Sequence, residues 1–232
     1  MIIARCLIFA LLLAQLSAPD RAAMERYRSA IKSAESGASA RAIEAAFATI
    51  GPVNQALTQK LESLSDEEFK RLEQQLPGLL VNREEIVFIK PDVEYFTKLA
   101  AARGDDADRA FFAALKATYP ESVWPTYVEQ QTDYAGCTRF GSMSLVETYR
   151  VWSEFQRRYP DRYPAAANQE ASAVLGELSG STCACGDGAA IERELEQFLR
   201  AFPASSPRAK VEERLQALRA RRSNIRTNCI AG

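Results

Sequence analysis

The densest mixture of aromatic and polar side chains is the run Trp124-Pro125-Thr126-Tyr127-Val128-Glu129-Gln130-Gln131-Thr132-Asp133-Tyr134. Aromatic faces beside carboxylates and amides suit a sugar or peptide ligand. Trp124, Tyr127, Glu129, Gln130, Asp133 and Tyr134 are therefore candidate ligand-binding residues. Glu129 and Asp133 stand four apart and are expected to share a helix face. Paired carboxylates run glycoside chemistry only when about 5–10 Å apart across a cleft, and neighbours on one helix usually face solvent. No catalytic residue is assigned.

The chain has no histidine at all. That removes Ser-His-Asp and Cys-His catalysis, the His-based zinc hydrolase motifs and histidine pH switching. Neither a G-x-x-x-x-G-K-[ST] phosphate loop nor a G-x-G-x-x-G fingerprint occurs. Gly104-Asp105-Asp106-Ala107-Asp108 and Gly186-Asp187-Gly188 miss the calcium-loop pattern and read as helix caps and turns. No cofactor and no metal site is expected. The charge is nearly balanced, with 29 basic and 30 acidic residues, so the electrostatic footprint of a nucleic-acid binder is missing. Arg214, Arg219, Arg221, Arg222 and Arg226 form the one basic cluster. It would suit an acidic partner or an anionic envelope surface, but cations also favour helix C-termini for dipole reasons.

Cysteine chemistry depends on compartment. Met1 to Arg5 carry one positive charge, Cys6 to Leu16 are almost continuously apolar, and Gln15 to Ala18 turn polar and small. This is the order of a secretory signal, and the apolar stretch is shorter than the roughly 20 residues of a membrane-spanning helix. Residues 1–18 are read as a signal peptide, with Ala14 as an alternative cleavage point, and no transmembrane segment is expected in the mature chain. Removing the signal deletes Cys6 and leaves Cys137, Cys183, Cys185 and Cys229. An even set in an exported chain suggests two disulfides. The single residue between Cys183 and Cys185 is tighter than zinc loops use.

The elements that position these residues read as helices. Met24, Tyr27 and Ile31 share a face before Gly37, and Ile43, Ala46, Phe47 and Ile50 share another before Gly51-Pro52. Ser65-Asp66-Glu67-Glu68 is a capping box, and Pro77-Gly78 ends the helix that follows. Asp92 and Asp105 or Asp106 are candidate caps for the next two. Ile86-Val87-Phe88-Ile89 has strand character, but a single strand lacks an evident partner, so the expectation stays all-helical.

The second half repeats itself. Phe155-x-x-x-Tyr159-Pro160-x-x-x-Pro164-x-Ala166 lines up with Phe198-x-x-x-Phe202-Pro203-x-x-x-Pro207-x-Ala209, and Leu115-x-x-x-Tyr119-Pro120-x-x-x-x-Pro125 is a looser copy. The aromatic closes a first helix, because proline disfavours helical geometry in the residue before it. The second proline suits the first turn of a return helix, with Ser206 as a cap before Pro207. Spacings of 40 and 43 residues between the aromatic-Pro pairs predict stacked helical hairpins.

This unit is similar to the tetratricopeptide-like helical hairpins of periplasmic envelope proteins, a resemblance carried by Phe198, Phe202, Pro203, Ser205, Ala209 and Leu218. The resemblance implies a helical scaffold for protein contacts and carries over no site residue. Hairpin geometry also brings all four cysteines to one end of the stack. Cys137–Cys183 with Cys185–Cys229 is the favoured pairing, and Cys137–Cys185 with Cys183–Cys229 is nearly equivalent.

The expected fold is therefore all-α: stacked antiparallel helical hairpins, α-solenoid-like or an irregular bundle, disulfide-pinned at one end. Residues 1–18 form the signal, 19–104 an N-terminal helical region and 105–232 the hairpin region. The expected function is a non-enzymatic periplasmic or secreted scaffold that binds another protein. A cell-wall glycan or peptide is the alternative ligand. A carboxylate-dependent envelope hydrolase or sugar-binding protein, and a secreted inhibitor or immunity protein, are the competing classes.

Overall fold

A computed structural model describes residues 17–120, 123–130 and 136–229. All but the last two residues of the expected signal lie outside that set. The described chain is mostly helical, with short strands only. It divides into two compact units, the first ending at Phe112 and the second beginning at Ala113. The division falls inside a helix rather than at Gly104, because Phe111 and Phe112 belong to the aromatic core of the first unit.

In the first unit, α1 (Ala18–Ser36) buries Met24, Tyr27 and Ile31 on one face. Ser17 and Asp20 form its capping box, and Gly37 ends it in the left-handed conformation at φ 67°. Helices α2 (Ala42–Ala48) and α3 (Ile50–Leu57) follow, then a 3-10 turn at Thr58–Ser63. The break lies at Thr49, so Gly51-Pro52 sits in the first turn of α3, where proline is tolerated. Helix α4 (Asp66–Gln75) has the expected box, with Ser65 Oγ accepting from Glu68 N and Glu68 Oε2 accepting from Ser65 N.

The stretch expected to stay helical or unpaired has a strand partner. β1 (Leu79–Asn82) pairs antiparallel with β2 (Phe88–Pro91), in register Leu79 to Pro91 and Asn82 to Phe88. Gly78 turns the chain into β1 at φ 80°, and its carbonyl accepts from Asp92 N at 2.8 Å. Asp92 then caps α5 (Val93–Arg103), accepting from Glu94 N and Tyr95 N. Asp105 and Asp108 cap each other's backbone N–H groups at the start of α6 (Asp106–Thr118). The core gathers Phe47, Phe96, Phe111 and Phe112, with ring centroids 5.1–5.6 Å apart, the range of favourable aromatic pairs.

The second unit holds a short hairpin, β3 (Val128–Gln130) against β4 (Gly136–Thr138), and four helices. These are α7 (Ser144–Arg158), α8 (Pro164–Gly180), α9 (Gly188–Ala201) and α10 (Arg208–Arg219). Helices α7 and α8 form one hairpin and α9 and α10 the next; α7 packs on α9, and α8 on α10. The expected interior positions Leu145, Trp152, Val174, Leu178, Ile191, Leu195, Phe198, Val211 and Leu215 are buried.

The repeat is conformational as well as sequential. Tyr159 and Phe202 close α7 and α9 with nearly the same backbone, φ −134° and ψ 64° against φ −128° and ψ 62°. Their carbonyls accept from Arg162 N and Ser205 N respectively. The copies differ at the return helix. Pro164 is in the first turn of α8 behind a left-handed Tyr163. Pro207 itself stands at the N-cap of α10, so Ser206 does not cap it. The looser third copy is not a hairpin: after Pro125 the chain enters β3.

The four cysteines meet as expected, in the second of the two pairings: Cys137–Cys185 and Cys183–Cys229. Backbone bonds explain the choice. Thr138 pairs with Ala184 and Cys183 with Arg226, so the extended segment runs between β4 and the chain at Arg226, with Cys185 bonded to the first flank and Cys183 to the second. With separations of 48 and 46 residues, each bond contributes about 4 kcal/mol by restricting the unfolded chain. Disulfides persist in oxidising compartments, and the pair indicates a protein outside the cytoplasm. No helix among the described residues is long and apolar enough to cross a membrane.

Candidate functional site

An open groove of about 740 Å³ lies in the second unit. One wall is Tyr119, Trp124, Pro125 and Tyr127 with residues of β3 and β4; the other is the C-terminal half of α8. The wall residues are held from below. Trp152 Nε1 donates to Thr118 Oγ1 at 3.0 Å, and Thr126 N to Thr118 O at 2.9 Å. Tyr127 O accepts from Arg139 N at 2.9 Å, and the Cys137–Cys185 bond ties β4 to the segment before α9.

Of the six expected ligand-binding residues, Trp124, Tyr127 and Gln130 line this groove. Glu129 does not. It alternates with Val128 and Gln130 along a strand, not a helix, and its carboxylate is 3.4 Å from Arg139 Nε. Asp133 and Tyr134 lie outside the described residues. The expected shared helix face therefore fails at Glu129, which stands in a strand and not a helix.

None of the expected site residues lies on the opposite wall. Helix α8 turns Ala173, Gly176 and Gly180 outward, with Glu177 half-buried among them. A Cβ added at Gly176 or Gly180 would meet no heavy atom within 4 Å. A glycine inside a helix costs about 1 kcal/mol relative to alanine, and at Gly176 nothing in the fold requires one. An interior glycine in a helical run was the available signal; Glu177 had none.

The described lining carries one charged side chain, that of Glu177. Glu177 accepts a hydrogen bond from the Thr138 hydroxyl, which also lies against that of Ser181. Tyr119 Oη donates to Glu170 Oε2 at 3.0 Å. Burial first, and the Glu170 carboxylate second, push both the Tyr119 and Tyr127 phenols above their ordinary range; Glu177 adds to the effect on Tyr127. Neither lysine nor arginine is among the described lining residues. Arg139 is engaged with Glu129. Arg214 is buried and donates to the backbone carbonyls of Glu177 and Ser181 at the end of α8. Burial pulls its pKa down to about 10, which leaves it charged at neutral pH.

The basic cluster is thus dispersed. Arg214 turns inward, Arg219 pairs with Glu192 and Glu196 of α9, and Arg221, Arg222 and Arg226 stay exposed. Among the described residues, no group of three metal-ligating side chains converges. The chain matches no protein-family model, no curated protein and no solved structure.

Proposed function

We propose that the chain is a non-enzymatic exported scaffold of the bacterial envelope, periplasmic or secreted, which binds another protein through the groove of its second unit. The observation that carries this reading is the groove itself, a pocket-sized concavity lined by Trp124, Tyr127 and Gln130 over an unobstructed glycine face. Support for export comes from the charged, apolar, small-residue order of residues 1–18 and from the two disulfides. The likeness of the hairpin unit to tetratricopeptide-like repeats supports a protein-binding scaffold. Ser17 caps α1, so cleavage after Ala14 would keep that cap and cleavage after Ala18 would remove it.

The test is expression of the tagged full chain in a bacterium, followed by fractionation, N-terminal sequencing and capture from envelope extract. The expected mature chain is in the periplasm or medium, begins at Gln15 and captures a defined partner. The Trp124→Ala and Gly176→Leu variants should lose that partner. Retention in the cytoplasm sinks the export reading, and an unchanged set of partners in both variants removes the groove as the site.

A further inference from the structure

We infer that the groove takes a basic segment of its partner, an extended peptide whose lysine or arginine side chain is held by the Glu177 carboxylate beside the indole of Trp124. The inference rests on the reading of this groove as the binding site. It adds the chemistry of what is bound.

Three observations carry it. The first is charge. Glu177 is the one ionisable carboxylate among the described lining residues, and no lysine or arginine lines the groove with it. Arg139 pairs with Glu129, and Arg214, buried under the end of α8 and close enough to feel the Glu177 charge, spends hydrogen bonds on the Glu177 and Ser181 carbonyls rather than on the carboxylate. Glu170, bonded to Tyr119, adds negative potential from the same helix two turns away. An anionic guest would meet like charge, and a neutral one would leave a desolvated carboxylate with the Thr138 hydroxyl as its side-chain partner.

The second is access. Glu177 is flanked on α8 by Gly176 and Gly180, and neither has a neighbour where a Cβ would be. A main chain can therefore lie close against the helix and bring a side chain onto the carboxylate. From Ala173 to Gly180 the helix rises about 10 Å, which accommodates about three residues of extended peptide. The third is the opposite wall. Trp124 presents half-buried aromatic surface over the buried Tyr127, and aromatic faces attract lysine and arginine cations.

The experiment titrates the full chain with blocked pentapeptides Ala-Ala-X-Ala-Ala, where X is lysine, arginine, norleucine or glutamate. The readout is the indole N–H NMR signals of the two tryptophans. Trp152 is buried and bonded to Thr118, so it serves as an internal control for the folded state. The lysine and arginine peptides should shift the Trp124 signal and leave that of Trp152 in place. Norleucine, which keeps the chain length without the charge, should bind at least about tenfold more weakly, and glutamate more weakly still. Glu177→Gln, which retains an acceptor for Thr138, should weaken the lysine peptide about tenfold and leave norleucine unchanged. Gly176→Leu should abolish binding of all peptides while raising the thermal midpoint, because leucine is the better helix former.

Equal binding of lysine and norleucine, preference for glutamate, or indifference to Glu177→Gln overturns the inference and leaves the groove as a site of other specificity. No shift of Trp124 with any peptide also overturns it. The reading beneath is decided separately, by whether Gly176→Leu changes what the protein captures from envelope extract.

Discussion

Glu194, in the second turn of α9, accepts the backbone N–H of Met143, the N-cap residue of α7, at 2.8 Å. The same carboxylate accepts from Gly141 N at 2.9 Å and Val146 N at 3.3 Å. Met143 has no side-chain cap of its own, so one hairpin caps the first helix of the other. Glu194 is fully buried, and three N–H groups at a helix N-terminus satisfy its carboxyl oxygens. Glu194→Ala leaves those donors without their acceptor and should lower stability by about 3 kcal/mol or more. Glu194→Gln, which keeps one acceptor oxygen, should cost less. Urea denaturation of both variants checks the order; equal midpoints for wild type and Glu194→Ala would refute it.

Two exposed boxes predict an acid dependence. Lys60 and Ser17 hold the Asp20 carboxyl below its ordinary range, and Ser65 does the same for Glu68. For each, the folded pKa is depressed, so the unfolded chain takes up the proton first. The stabilisation is complete above the unfolded value and disappears as pH falls through the folded one. The thermal midpoint should decline below about pH 4, and Asp20→Asn with Glu68→Gln should flatten that decline while lowering the plateau at neutral pH.

Gly78 is fixed by two constraints at once. Its φ of 80° disfavours an L side chain, and a Cβ there would stand 2.5 Å from Tyr95 Cδ1. Tyr95 has little freedom to retreat, because its hydroxyl donates to Glu35 at 2.8 Å. Gly78→Ala should destabilise the first unit by about 2–3 kcal/mol. Hydrogen exchange localises the effect: faster exchange in β1 and β2, with α7–α10 unaffected, is the expected pattern.

Non-reducing peptide mapping should recover Cys137 linked to Cys185 and Cys183 linked to Cys229. Replacing either pair with alanine should cost about 2–5 kcal/mol. Recovery of Cys137–Cys183 would contradict the register between β4 and the segment before α9.

Features set by local chemistry were legible in the sequence. Ser65 with Glu68, and Asp92 before Tyr95, announce helix starts because the groups they satisfy lie within three residues. Phe155–Tyr159 and Phe198–Phe202 announce the two hairpins for the same reason. What depended on distant partners was not legible. The Ile86–Ile89 run reads as an isolated strand until Leu79 is seen to face Pro91. Glu194 looks like any helical glutamate, and only the fold brings Met143 to it. Tyr119-Pro120 mimics the hairpin signal, yet the strand after Pro125 ends the likeness. At the groove, aromatic density found one wall, whereas the glycine wall carries no chemistry of its own to advertise.

The crossed cystines bear on how the chain reaches this state. Each closed loop contains one cysteine of the other, since Cys183 lies between Cys137 and Cys185, and Cys185 between Cys183 and Cys229. A chain emerging from its N-terminus offers Cys183 to Cys137 two residues before Cys185 appears. The earliest bond that emergence permits is therefore a wrong one. The native set is reached only if Cys137 passes over its first suitor, or if the Cys185 thiolate attacks Cys137 of that bond and releases Cys183 for Cys229. Maturation is thus tied to the arrival of Cys229, and a product truncated before it has no route to both native links.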